Sequence, residues 1–167
     1  MSHELAQLNI ATLRAPLDSP ELADFVADLD RINALAEQAP GFVWRFATPA
    51  GDATAAEHPF GEGVIVNMSV WRGVEALHDY VYRSAHAPIM ARRREWFERM
   101  AEAHAVLWWV PEGHRPTPFE AAGRLDTLRR EGPSAAAFTF KRPWPMPGAH
   151  GATEDAAAGL DELRATR

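Results

Sequence analysis

Hydrophobic and polar residues alternate in four segments of the chain, a pattern typical of β-strands that bury one face. The segments are residues 4–13, 42–47, 63–71 and 105–111. The third segment shows the pattern best, because one face carries only valine and methionine. Its other face mixes polar and apolar side chains, namely Ile65, Asn67, Ser69 and Trp71.

In segments between the predicted strands, apolar residues recur every three or four positions, which is the spacing of amphipathic helices. One such stretch follows Ser19, a good N-cap residue, and ends at Pro40-Gly41. A second stretch covers residues 74–101. Pro88 removes a backbone donor inside it and predicts a break near residues 84–88.

A third helix follows the fourth strand. In Thr117-Pro118-Phe119-Glu120 the threonine caps the helix, proline occupies its first position and glutamate reaches back to the cap. This helix runs to about Arg130. The chain therefore divides into one domain at residues 4–140 and an extension at 141–167, which begins proline-rich and which we expect to end in a disordered tail.

The predicted order of elements is β-α-β-β-α-β followed by an extra C-terminal helix. This is the split βαβ, ferredoxin-like arrangement of the α+β class, with a four-stranded sheet and helices on one face. An uncovered apolar face of this sheet would exceed the patch that monomers tolerate. We therefore expect a homodimer in which two copies pack sheet to sheet.

Composition narrows the classes of function. The chain has 167 residues with 47% hydrophobic and 24% charged residues, as expected for one globular domain. It has no cysteine, which excludes disulfides and thiolate sites and fits a cytoplasmic location. A net charge of −6 argues against nucleic-acid binding, and the chain lacks an apolar run long enough for a membrane span. Histidine and carboxylate spacing predicts no metal site.

Polar residues on aromatic-rich strand faces are the first candidates for a site. Asn9, Asn67 and Ser69 lie on such faces. A buried amide without a partner costs on the order of 1–3 kcal/mol, so these side chains need a polar neighbour or a ligand. They form either a structural hydrogen-bond network between the first and third strands or the polar part of a ligand pocket.

Histidine, arginine and tryptophan supply the remaining candidates. His86 shares a helical face with Tyr82 and can act as a general base, an iron ligand or a helix cap. His104 directly precedes the fourth strand and could approach His86 in space. One arginine of residues 92–94 could turn inward to bind an anion, and Arg94 continues the helical stripe of His86. Aromatic walls that suit a planar ligand could come from Trp44 and Trp109.

Several segments together resemble a known family. They are Leu8-Asn9-Ile10, Arg31-Ile32-Asn33, Pro40-Gly41-Phe42-Val43-Trp44-Arg45, Val66-Asn67-Met68-Ser69-Val70-Trp71, Tyr82-Arg83-Ser84-Ala85-His86, Arg92-Arg93-Arg94-Glu95-Trp96-Phe97, and Leu107-Trp108-Trp109-Val110-Pro111 with Gly113-His114-Arg115-Pro116. The chain closely resembles, over residues 4–140, the bacterial domain of unknown function 3291 (DUF3291). The resemblance implies membership of the dimeric α/β-barrel superfamily, which includes small quinone-forming monooxygenases and haem-binding or haem-degrading enzymes.

Two further likenesses concern single residues. Asn67 and Trp71 are similar to the Asn-x-x-x-Trp pair of cofactor-independent monooxygenases in that superfamily. Asn9, Trp71 and His86 are similar to residues of its haem-degrading branch.

The leading hypothesis is an aromatic-lined pocket that binds a small planar molecule. If the protein is an enzyme, the favoured reaction is oxidation of that molecule by oxygen without a cofactor. Asn67 and Trp71 would orient the substrate, His86 would transfer a proton, and Arg45 or Arg94 would stabilise anionic charge. The ligand-binding set comprises Asn9, Trp44, Arg45, Ser69, Tyr82, Arg94, His104 and Trp109. The alternatives are a haem-binding protein with His86 as axial ligand and a non-catalytic dimer that binds a metabolite.

Overall fold

The fold is a four-stranded antiparallel sheet with five α-helices, described in a computed structural model over residues 2–47 and 58–149. The strands are β1 (His3–Thr12), β2 (Phe42–Arg45), β3 (Val64–Trp71) and β4 (Ala105–Pro111). The helices are α1 (Ala23–Gln38), α2 (Val74–Arg83), α3 (Ala87–Ala91), α4 (Arg93–Trp96) and α5 (Pro118–Glu131). The strand order β2-β3-β1-β4 confirms the predicted ferredoxin-like topology of the α+β class.

The register of β1 decides which residues share a face of the sheet. Leu8 lies opposite Met68 of β3 and Val106 of β4, whereas Asn9 lies opposite Asn67. Because side chains alternate along a strand, the even-numbered residues of β1 share one face with valine, methionine and Trp108. The odd-numbered residues share the other face with the asparagines.

Helix α5 covers the even-numbered face. Nine sheet residues on it are at most 5% exposed, and they pack with Ala121, Leu125 and Leu128 of α5; the nine are Ala6, Leu8, Ile10, Val66, Met68, Val70, Val106, Trp108 and Val110. The prediction put all helices on one face of the sheet. Helices α1 to α4 do lie on one face, but α5 lies on the other. The apolar face that argued for a homodimer is therefore buried within one chain, and the homodimer itself stays a prediction.

The opposite face is half core and half cavity. At one end, Leu5 and Trp71 pack with Leu77 and Tyr80 of α2. At the other end, Ile65 packs with a cluster formed around Trp96. Between the asparagines of this face and the helices above them lies the cavity described below.

The predicted helix over 74–101 is three short helices. The chain leaves helical geometry at Ser84, as Pro88 predicted, and again at Arg92, where ψ is 0°. Helix α4 ends at Trp96, earlier than predicted, because Phe97 pairs with Leu13 and the Glu98 amide donates to the Thr12 carbonyl at 2.9 Å. The segment at Phe97 and Glu98 therefore pairs with the end of β1 and the residue after it.

Two predicted caps behave differently. Thr117 Oγ1 accepts from the Glu120 amide at 3.1 Å, as predicted, but the Glu120 carboxylate accepts from Trp108 Nε1 at 3.2 Å instead of reaching back. Ser19 does not cap α1, since its hydroxyl donates to the Pro16 carbonyl at 2.6 Å and a 3₁₀ turn at Pro20–Leu22 precedes the helix.

The predicted extension is described only as far as residue 149. Phe138 makes one antiparallel bridge with Leu107 of β4, and the Trp144 carbonyl accepts from Trp109 Nε1 at 2.8 Å. The expected disordered tail and most of the long connection at 49–61 lie outside the described residues. In the part of the chain that is described, none of the helices has the length and apolar character needed to cross a membrane.

Substitutions in α5 test whether it covers the sheet. Leu125 is 1% exposed against the sheet, whereas Phe119 on the same helix is 65% exposed. Leu125→Ala is expected to lower the free energy of unfolding in urea by roughly 2–5 kcal/mol because it opens a cavity. Phe119→Ala is the matched control, with an expected change within about 0.5 kcal/mol. Equal effects of the two substitutions would contradict the packing of α5.

Candidate functional site

A cavity of about 150 Å³ lies between the odd-numbered face of β1 and β3 and helices α1 and α3. Roughly this volume accommodates one benzene ring in a protein interior. Most of its wall is apolar or aromatic, from Ala11, Phe25, Leu29, Ile32, Phe46, Ile65, Ile89, Met90, Trp96 and Phe97. The space therefore suits a single planar ring.

Six side chains give this apolar cavity its polar groups: Asn9, Asn33, Arg45, Asn67, His86 and Arg93. Asn9 and Asn67 face each other across β1 and β3, and Asn33 comes from α1 above them. The amides of Asn9 and Asn33 make no hydrogen bond to any other residue in the described ranges. These amides are free to bind the polar atoms of a ligand.

Gln7 orients Asn67. Its Nε2 donates to Asn67 Oδ1 and to Ser69 Oγ, each at 3.0 Å. Ser69 Oγ also accepts from Trp71 Nε1 at 2.8 Å. The Asn67 carbonyl is thus engaged, which leaves its NH₂ group as a donor. A network between the first and third strands exists, with Gln7 in the place predicted for Asn9, and it also supports one wall of the cavity.

His86 lies at the break between α2 and α3. Its amide donates to Ser84 Oγ at 3.1 Å, which holds the turn, and Pro88 fixes the first turn of α3 after it. The side chain is 9% exposed, and Nδ1 has no hydrogen-bond partner among the described residues. Burial lowers the pKa of His86, and the Val81 carbonyl opposes this only in part. His86 is therefore neutral at pH 7 and can accept a proton.

Tyr80 supports His86 from behind. Its ring stacks on Trp71 with centroids 5.0 Å apart and lies 4.9 Å from the imidazole. The hydroxyl donates to the Ile32 carbonyl at 3.3 Å, and burial raises the pKa of Tyr80 to about 12. Tyr80 therefore remains a neutral phenol that positions the histidine.

The arginine that reaches the cavity is Arg93, not Arg94 as the helical spacing predicted. Arg94 is exposed, whereas Arg93 is half-buried and lines the cavity. The helix that begins before Met90 ends at Ala91 and a new one begins at Arg93, so the four-residue spacing from His86 does not continue into α4. Arg45 also lines the cavity, but its Nε pairs with Glu37 at 2.6 Å.

His104 lies beyond Arg93 and not on the cavity wall. Its Nε2 is 3.4 Å from both terminal nitrogens of Arg93. Burial lowers the pKa of His104, and the Arg93 charge lowers it further. His104 therefore acts on the cavity only through the arginine between them.

Five other predicted site residues lie away from the cavity. Trp71 and Ser69 are buried in the core behind it. Trp44 packs against the α5 face of the sheet. Tyr82 is 56% exposed beside His78, and Trp109 contacts Phe138 and the extension.

Gln7 and Asn33 were not predicted from the sequence, and among arginines 92–94 the helical spacing favoured Arg94 over Arg93. Gln7 could have been found from the sequence, because it lies two residues before Asn9 and therefore on the same face of β1. Asn33 lies in α1, and the spacing of apolar residues around it does not show whether position 33 faces the sheet or solvent. Arg93 depends on the helix break at Arg92, which no proline or glycine announces.

The site fits neither a metal ion nor a haem. Over residues 2–47 and 58–149, no three histidine, aspartate or glutamate side chains come together as a ligand set. A haem macrocycle is several times larger than the benzene-sized space beside His86. The haem alternative therefore has no support from the shape of this cavity.

NMR titration tests the environment of His86. We expect its pKa to lie below the 6.5 of an ordinary histidine, since burial disfavours the charged ring. Carbon-13-labelled histidine rings are followed against pH, and loss of one resonance in His86→Gln assigns it. A pKa of 6.5 or higher would contradict the buried, neutral imidazole.

The family "Domain of unknown function (DUF3291)" matches residues 4–155, and no curated protein matches. Among solved structures, the chain is similar to SnoaB, a cofactor-independent oxygenase from Streptomyces nogalater, at 17% identity over 70% of this chain and 97% of that one, with a TM-score of 0.45. It is also similar to the NE2512 protein of unknown function from Nitrosomonas europaea, at 17% identity over 70% and 95% of the two chains, with a TM-score of 0.43. The family match covers most of the chain, and the chain belongs to the DUF3291 family.

Proposed function

We propose that the cavity binds a small phenol and oxidises it with molecular oxygen, without a cofactor. The observation that carries the proposal is that a buried, neutral histidine and an arginine both line a cavity the size of one aromatic ring. Such a pair suits removal of a proton from a weakly acidic ring hydroxyl. The substrate is then held as an anion between the two groups.

Binding rests on shape and on the three asparagines. Phe25, Trp96 and Phe97 provide flat apolar walls for a ring. Asn67 donates through its NH₂ group, because Gln7 occupies its carbonyl. A ring oxygen near β1 and β3 would accept from the Asn67 NH₂ group and from the amides of Asn9 and Asn33, which have no hydrogen-bond partner among the described residues.

Proton transfer is the role of His86. A base with a pKa lowered by burial is available at neutral pH, and a position within hydrogen-bond reach of the substrate hydroxyl is the geometric requirement. Arg93 stabilises the resulting phenolate. Its guanidinium makes no ion pair with any carboxylate of the described residues, so its charge is available to the ligand.

The phenolate supplies the electrons that oxygen needs. One electron passes from the phenolate to O₂, and the two radicals combine to form a carbon–oxygen bond at the ring. His86 returns its proton to the distal peroxide oxygen. Loss of the hydrogen on that carbon then cleaves the O–O bond and releases water, so that a phenol and O₂ give a quinone and water. No further oxidant or reductant enters this balance.

Oxygen uptake tests the reaction. With para-unsubstituted phenols, we expect the protein to consume one O₂ for each quinone formed. His86→Gln should lower kcat/KM by about 10²–10⁴-fold, because it removes the base while keeping similar size and polarity. His78→Gln, at a half-exposed histidine on α2, is the matched control and should leave kcat/KM unchanged.

The same experiment separates an enzyme from a carrier. Phenol binding without oxygen uptake under any tested condition would overturn the catalytic part and leave a metabolite-binding protein. Equal uptake by wild type and His86→Gln would overturn the assignment of the base.

A further inference from the structure

A second and larger cleft opens beside the cavity, on the other side of Arg93. Its volume is about 700 Å³, and Arg93 and Phe97 belong to both walls. The remaining walls come from Arg14, Arg94, Glu98, Arg99, Met100 and His104. One arginine thus separates a small apolar space from a wide polar one.

The cleft gathers positive charge in an acidic protein. Four guanidinium groups, those of Arg14, Arg93, Arg94 and Arg99, face a single carboxylate, Glu98, although the whole chain carries a net charge of −6. Within the described ranges none of these four arginines pairs with a carboxylate. Arginines elsewhere on the surface do so, as Arg31 does with Asp28 and Arg130 with Asp126.

Contacts within the cleft hold these charges close together. Arg14 Nη1 donates to the Arg94 carbonyl at 2.8 Å, and the Arg14 amide donates to the Trp96 carbonyl at 2.9 Å. Arg93 lies beside His104, whose Nε2 can accept from it only while the ring is neutral. Arg129, which does not line the cleft, pairs with Glu102 at 3.6 Å. The fold therefore maintains a cationic cluster that its own carboxylates do not neutralise.

We propose that this cleft binds a phosphate group of the same ligand whose ring occupies the cavity. The inference rests on the proposed function, since it assumes that the cavity holds an aromatic ring. Guanidinium groups bind phosphate oxygens in bidentate fashion, and several of them together favour a dianion over a single carboxylate. The substrate class is accordingly a phenol joined by a short linker to a phosphate monoester.

The shared wall sets the length of that linker. Arg93 and Phe97 border both spaces, so a ring in the cavity and a phosphate in the cleft lie on either side of one guanidinium. A linker of a few atoms spans that distance. Arg93 would then contact both the ring oxygen and the phosphate, and the outer arginines would contact the phosphate alone.

Calorimetric titration with matched ligands tests the proposal. The probes are 2-(3-hydroxyphenyl)ethanol, its phosphate monoester, inorganic phosphate and 3-(3-hydroxyphenyl)propionate. We expect the phosphate monoester to bind at least about tenfold more tightly than the alcohol. The gain should fall as ionic strength rises, because the cleft is open to solvent.

Two exposed arginines allow a clean variant. Arg94→Gln with Arg99→Gln should abolish the gain from the phosphate and the binding of inorganic phosphate, while affinity for the alcohol stays within about twofold. Arg31→Gln with Arg130→Gln removes two surface charges elsewhere and should keep the full gain. This control separates local recognition from the net charge of the protein.

The outcomes distinguish this inference from the proposed function. If the alcohol binds and the phosphate adds nothing, or the double variant retains the gain, the cleft is not a phosphate site. An equal gain with the propionate would also overturn the phosphate assignment. If inorganic phosphate binds to wild type and not to the Arg94/Arg99 variant while the alcohol fails to bind, the anion site stands and the ring-binding cavity falls.

Discussion

The antiparallel register of β1 on β3 is the constraint on which the rest of the structure depends. It places Asn9 opposite Asn67 and Gln7 opposite Ser69, so every polar residue at the centre of the sheet falls on one face. The centre of the other face is consequently apolar and is buried under α5. A shift of the β1 register by one residue would exchange the two faces and bury the amides against the apolar residues of α5.

Two breaks in the helical segment above the sheet then decide which charged groups reach the cavity. The break at Ser84 turns His86 inward against Tyr80, in surroundings that keep its imidazole neutral. The break at Arg92 starts a new helix at Arg93, in which Arg93 lines the cavity and Arg94 is exposed. The base and the cation thus come from consecutive short helices, and the amides come from the sheet.

The sequence predicted well what alternation and capping chemistry determine. The four strands, the ferredoxin-like order, the Thr117 cap and the break near Pro88 follow from local patterns, and so do Asn9, Asn67 and His86 as wall residues. Trp44, Tyr82 and Trp109 were misplaced because an aromatic side chain gives the same signal in a core as in a pocket. Arg93 and the position of α5 depend on three-dimensional packing, which helical spacing along the chain does not encode.

The central claim is that His86 and Arg93 hold an aromatic ring as an anion, and the absorbance of bound 4-nitrophenol tests it most directly. The titration is done without oxygen, about one pH unit below the solution pKa of the phenol. The account predicts that phenolate absorbance grows with protein and that His86→Gln abolishes this growth. A ligand that binds in its neutral form, or a phenolate band unchanged in His86→Gln, would contradict the account.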